Sequence, residues 1–241
     1  MKVQDNSKVL SNSHPQVKEL IQVPSTAARL VSEFVGMALL ACVVIGSGIM
    51  GTNLSADPGV ALLINTISTI FALAILILIL GPISGAHFNP AVTLVSLVNK
   101  TMQTKDALAY IAVQVAGAIT GAIVANAMFD LAVIQISKTD RITVGKLIGE
   151  VIATAGLILV IGVLIDRAQT NFIPIVVAGW IGSAYFFTSS TSFANPAITI
   201  GRVFSDTFAG IAPSSVLPFI VAQLVGATIG LFVVKSIAKV N

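Results

Sequence analysis

From Pro58 to Asn99 the chain runs 42 residues without an Asp, Glu, Lys or Arg, and from Ala168 to Gly201 it runs another 34. An apolar helix needs about 20 residues to cross a hydrocarbon core, so each stretch holds one crossing and something shorter. Apolar runs predict six membrane-length helices, at about 27–50, 60–80, 107–129, 144–165, 172–189 and 216–234. The surplus in both long stretches opens on the same tripeptide, Asn89-Pro90-Ala91 and Asn195-Pro196-Ala197. Asn is a favoured helix N-cap and Pro a favoured first helical residue, so each tripeptide predicts a helix start. About ten helix-compatible residues follow, enough to rise about 15 Å, or half a hydrocarbon core. Non-helical backbone at that depth must be buried in protein or line a water-filled cavity. The residues just before each Asn are therefore expected to line a cavity.

The two halves of the chain repeat. Ser84 to Leu94 aligns without gaps on Ser190 to Ile200 at an offset of 106, and Gln114, Gly117, Ala118 and Gly121 match Gln223, Gly226, Ala227 and Gly230 at an offset of 109. Glu33 in the first span of one half has Glu150 as its counterpart in the other. Three spans per repeat is an odd number, so the second copy must be inverted relative to the first. The half-helices then enter from opposite faces and meet. The expected fold class is an all-α membrane protein with six transmembrane helices, two re-entrant half-helices and an inverted 3+3 repeat. Its expected organisation is a cytosolic tail, residues 1–24, and one channel domain, residues 25–241, with repeats at about 27–130 and 143–236.

Composition narrows the class. Hydrophobic residues make up 56% and charged residues 10% of the 241-residue chain, whereas charged residues are about a quarter of a soluble domain. Mean hydropathy is +0.98. A net charge of +3 is carried without a basic cluster or aromatic-rich basic face, which argues against nucleic-acid binding. Nine of the 13 Lys and Arg residues fall on the amino-terminal side of the alternating spans and four (Lys138, Arg141, Lys146 and Arg202) on the other. The positive-inside rule then places the protein in a cell membrane with both termini cytosolic. The polar first residues lack the apolar core of a secretory signal. The single cysteine, Cys42, supports neither a disulfide framework nor Cys-based zinc ligation; no metal or cofactor is expected.

Each Asn can cap its half-helix with its side-chain oxygen, leaving the amide NH2 free to donate into the pore. Two such donors and two helix amino termini at mid-depth repel cations and hydronium, so the pore should pass neutral solutes. A coupled transporter would need titratable or cation-ligating groups there, and an intramembrane hydrolase would need a nucleophile paired with a base. With His14 in the tail and His87 alone near a span, neither set assembles. Backbone carbonyls of Gly85, Ala86 and His87, and of Thr191, Ser192 and Phe193, would supply acceptors along an apolar wall. Glu33 and Glu150 are the carboxylates placed within spans, with bracing favoured over a proton relay. His87 is expected to order the cytosolic vestibule by hydrogen bonding, with pH tuning as the alternative.

The paired Asn-Pro-Ala motifs, the lead-in Ser84 to Phe88, Glu33 with Glu150, and Gln114 with Gln223 together resemble the aquaporin and aquaglyceroporin family (major intrinsic proteins) across about 27–236. The resemblance implies a right-handed bundle with one pore per subunit, a homotetramer in the lipid bilayer, and passive flow without enzymatic activity. It also implies that Glu33 and Glu150 accept hydrogen bonds from the re-entrant backbone. Family members that conduct water or glycerol usually carry Arg directly after the second Asn-Pro-Ala; here that position is Ile198. The other filter positions map to Thr69, Tyr185 or Ser183, and Ser192. Without the Arg the filter should be wider and less polar, favouring glycerol-like polyols and neutral metalloids over a strict water channel. Arg202, four residues on, shares the helix face of Ile198 and either leans back toward the filter or anchors a loop. The run from Asn195 to Ile211 is similar to a microbial branch lacking the filter Arg, some of whose members are associated with arsenic handling.

Overall fold

The computed structural model describes residues 24–238; apart from Pro24, the expected cytosolic tail lies outside the described residues. Six long helices are present: α1 (Thr26–Leu54), α2 (Pro58–Ser84), α4 (Thr104–Met128), α5 (Val144–Asp166), α6 (Ile173–Phe187) and α8 (Pro213–Ala238). Two short helices, α3 (Pro90–Val98) and α7 (Pro196–Gly201), sit between the spans. All six long helices are apolar enough to cross a membrane, α6 together with the 3-10 turn Thr170–Phe172 that precedes it. The fold is thus all-helical, six spans and two half-helices.

Local chemistry sets the boundaries. The hydroxyl of Ser25 accepts the Ala28 N–H at 3.1 Å and starts α1. Asp57 Oδ1 accepts the Gly59 N–H at 2.7 Å, with Pro58 as the first helical residue, so α2 begins before its apolar run does. Its far end is Gly85 at φ 86, whose N–H reaches the Gly81 carbonyl, the left-handed cap that glycine adopts at least cost. The second half-helix differs from the expected ten residues. After six α-helical residues the chain tightens into a 3-10 turn, Arg202–Phe204, a frequent ending for a short helix.

The repeat is visible in the packing. α1 lies along α4, and α5 lies along α8. In the first pair Gly117 and Gly121 press against the Phe34 and Ala38 carbonyls, and in the second Gly226 and Gly230 press against those of Val151 and Ala155. A Cβ at any of the four would run into helix backbone. Close backbone approach through small residues is how helices associate in lipid, where apolar burial supplies no drive. Gly121→Val is therefore expected to force α1 and α4 apart, at about 1–3 kcal/mol for overpacking, and to lower the thermal midpoint of the detergent-solubilised protein. Gly81→Ala, where a Cβ meets nothing within 4 Å, should leave it unchanged. The outside of the bundle exposes large apolar side chains such as Phe71, Leu78, Leu108, Ile175 and Phe232. Such a surface is suited to lipid rather than water.

Candidate functional site

The segments leading into α3 and α7 share an unusual backbone. Gly85, Ala86 and Phe88 have φ of 86°, 47° and 45°, and their equivalents Thr191, Ser192 and Ala194 have φ of 61°, 50° and 47°. Left-handed backbone costs a non-glycine residue about 1–2 kcal/mol. The strain occurs five times at non-glycine positions and in register, so something must hold it.

Two buried carboxylates hold it. Glu33 Oε1 accepts the His87 N–H at 2.9 Å and Oε2 the Phe88 N–H at 2.8 Å. Glu150 repeats the arrangement on Phe193 and Ala194, both at 2.8 Å. Gln114 Nε2 donates to Glu33 Oε2 and Thr93 Oγ1, and Gln223 Nε2 to Glu150 Oε2 and Thr199 Oγ1. Those hydroxyls in turn donate to the Asn89 and Asn195 carbonyls. Each half-helix start is therefore tied to a glutamate on its own repeat's first span and a glutamine on its third.

The motif asparagines cross-link the two loops. Asn89 Oδ1 accepts the Ala91 N–H, and Asn195 Oδ1 those of Ala197 and Ile198, as N-caps. Their amides do not simply point into the pore: Asn89 Nδ2 donates to the Ala194 carbonyl and Asn195 Nδ2 to the Phe88 carbonyl, each at 2.7 Å. An amide carries two N–H groups. One joins the half-helices across mid-depth and the second remains for the cavity, which both asparagines line.

That cavity has a volume of about 880 Å³ and runs past both motifs. Asn89, Val92 and Ser96 line it from the first half-helix, and Asn195, Ile198 and Arg202 from the second. The spacing i, i+3, i+7 is one helix face, and the two triplets are equivalent in the repeat. Of the expected backbone wall, Gly85, Ala86, His87, Ser192 and Phe193 line the cavity. Thr191 does not; it turns back to donate its N–H to the Thr188 carbonyl, and Ala194 takes its place in the wall. Pro90, Ala91, Pro196 and Ala197 are buried behind the wall, where the half-helices pack. Thr69, Tyr185, Ser192 and Ile198 all line the cavity, whereas Ser183 is exposed on the far side of α6. Tyr185 donates to Thr69 Oγ1 at 3.4 Å, and the buried Ser192 hydroxyl has no hydrogen-bond partner among the described residues. His87 Nδ1 lies 3.1 Å from Thr93 Oγ1, and its ring meets Tyr110 edge-on.

The chain matches the family model for major intrinsic proteins over residues 20–192. It is 44% identical over 207 residues to aquaglyceroporin AqpS of Rhizobium meliloti (strain 1021), covering 86% of this chain and 88% of that protein. The chain belongs to the major intrinsic protein family. It is also 30% identical to aquaporin Z of Brucella melitensis, over 87% of this chain and 97% of that one. Among solved structures, the aquaglyceroporin from Plasmodium falciparum has the same fold, with a TM-score of 0.68 at 21% identity over 90% of this chain and 97% of that one. This is the family of aquaporin channels, which are passive channels rather than enzymes, and the protein is a multi-pass membrane channel for small solutes.

Sequence reasoning passed over Arg141. It lies in the segment between α4 and α5, yet its Nε donates to the Gly210 carbonyl at 2.7 Å and its Nη2 to the Phe208 carbonyl at 3.0 Å. Burial lowers the guanidinium from its ordinary value while the Glu150 carboxylate raises it, and it stays a cation. Next to it, Asp140 is held below the usual carboxylate range by the Ile142 N–H and the Ser215 hydroxyl. Nothing in the local sequence marks Phe208, Gly210 and Ser215, which lie 67, 69 and 75 residues from their partners in the chain. Ser96 had a signal: it is the repeat equivalent of Arg202.

Proposed function

We propose that this channel passes small uncharged solutes larger than water, namely glycerol-like polyols and neutral metalloid acids, with water as a lesser permeant. The observation that carries the reading is Ile198: the residue after the second motif is apolar, 4% exposed, and faces the cavity on the same helix stripe as Asn195. Thr69, Tyr185 and Ser192 bring hydroxyls to the cavity wall, and Leu40, Val44, Leu73 and Ile181 bring hydrocarbon. A polyol, which carries both hydroxyls and C–H groups, suits such a mixed wall better than water does. The similarity to a protein named an aquaglyceroporin supports the same class. The excess of Lys and Arg in the 99–105 and 167–172 segments and near the termini supports a cytosolic side for both termini, and the family resemblance supports a homotetramer with one pore in each subunit.

Stopped-flow light scattering on proteoliposomes tests the reading by comparing water, glycerol and a neutral metalloid acid. Glycerol and metalloid permeability should stand well above empty-liposome rates. Ile198→Arg should cut glycerol flux about tenfold, the equivalent of 1.4 kcal/mol on the barrier, while changing water flux far less. Dominant water flux that Ile198→Arg leaves untouched would overturn the filter assignment.

A further inference from the structure

The two pore loops carry different rings at one pair of equivalent positions. Where the first loop has His87, edge-on to Tyr110, the second has Phe193, edge-on to Phe219 with ring centroids 5.1 Å apart. Two guanidiniums gather on Phe193: Arg202 Cζ lies 3.4 Å from the ring centroid and Arg141 Cζ lies 5.2 Å from it. Arg202 is 3% exposed, lines the cavity and makes no ion pair among the described residues. A buried cation without a carboxylate is costly, and what compensates here is the ring face and a run of loop carbonyls. Arg202 Nε donates to the carbonyl of Ala209, between the Phe208 and Gly210 carbonyls that Arg141 takes. Three consecutive carbonyls are thus shared by two arginines.

We propose that Arg202 is the specificity-determining cation of the pore at its Phe193 end, and that Arg141 is its positioning residue, acting through the Phe208–Gly210 loop. This rests on the reading of the chain as an uncharged-solute channel and deepens it. The apolar Ile198 relaxes the pore's width at its own level, and Arg202, one helical turn further out on the same stripe, retains the charge barrier. With Nε bound to Ala209, the terminal Nη groups of Arg202 are the donors left for a passing hydroxyl, and the partnerless Ser192 hydroxyl stands in the same wall. Phe193 fixes the height of the guanidinium through its face. Glu150 fixes the backbone of the same residue, accepting the Phe193 N–H at 2.8 Å.

The test uses full-length protein in proteoliposomes, with glycerol flux by light scattering and proton leak by an entrapped pH dye. Arg202→Gln keeps an N–H donor on a shorter side chain while losing the charge. It should raise proton leak at least about tenfold, because a low-dielectric pore amplifies each charge. Arg202→Ala should also raise the permeability of a five-carbon polyol relative to glycerol. Arg141→Ala should shift both readings in the same direction as Arg202→Ala, and the double variant should add little beyond Arg202→Ala, the signature of two residues acting as one unit. Additive effects of Arg141→Ala and Arg202→Ala would overturn the positioning role. Unchanged proton leak and polyol ratio in both Arg202 variants would overturn the proposal while leaving the channel reading intact. A wild-type protein that conducts no glycerol would overturn both.

Discussion

Replacing Glu33 with leucine is expected to abolish the folded channel. Its carboxylate accepts from the Ser84 hydroxyl, the His87 and Phe88 N–H groups and Gln114 Nε2, all within 2.9 Å, and is fully buried. Leucine has a similar volume, so the loss is one of hydrogen-bond acceptors. Each orphaned buried donor costs about 1–3 kcal/mol, and four of them reach the whole of a domain's typical stability of about 5–15 kcal/mol. The strain at Ala86 and Phe88 would then be unopposed. Size-exclusion profiles in detergent should show aggregated protein, and reconstituted vesicles should show no glycerol flux above background. Glu33→Gln, which keeps one acceptor oxygen, should give an intermediate thermal midpoint. Glu150→Leu should act in the same direction with a smaller loss, since three donors depend on it. A folded, conducting Glu33→Leu protein would show that the carboxylate is not the brace of the first loop.

The braces, the half-helices and the inverted repeat were legible because they are written twice. A single Asn-Pro-Ala reads as a turn; two of them, each followed by a Thr at the fourth helical position and matched by a downstream Gln, constrain one another. The gaps in legibility have physical causes. One amide hydrogen of each asparagine pairs with a carbonyl 105 or 107 residues away, and no local pattern signals a partner across the repeat axis. The Thr191 carbonyl was expected in the wall, but the backbone there, at φ 61°, turns its N–H onto the Thr188 carbonyl, and the residue does not line the cavity as its equivalent Gly85 does. Arg202, expected either to lean back toward the filter or to anchor a loop, lines the cavity and donates to a loop carbonyl. The choice between them looked exclusive in sequence because one guanidinium has several donors that point different ways. Arg141 was illegible for the opposite reason: its partners are backbone carbonyls, which every residue has.

The asparagines give the sharpest separation of structure from selectivity. In each, Oδ1 caps a half-helix and Nδ2 holds the other loop, so two substitutions can remove different functions. Asn195→Leu removes both and should depress glycerol flux at least about tenfold, since a lost N-cap of about 1 kcal/mol is joined by an unpaired buried carbonyl of about 1–3 kcal/mol at Phe88. Asparagine to aspartate keeps the capping oxygen and exchanges the amide donor for a carboxylate. In the double variant Asn89→Asp with Asn195→Asp, two negative charges stand at mid-depth, each facing a carbonyl that formerly accepted a hydrogen bond. Their field opposes the positive potential of the helix starts, and the cation barrier should fall, because charges act strongly where water is scarce. Sodium or proton leak should rise at least about tenfold over wild type, while the α-helical circular dichroism of the purified protein stays close to normal. If the double aspartate channel remains ion-tight, the barrier to cations resides elsewhere along the pore, and the Arg202 level becomes the place where charge is rejected.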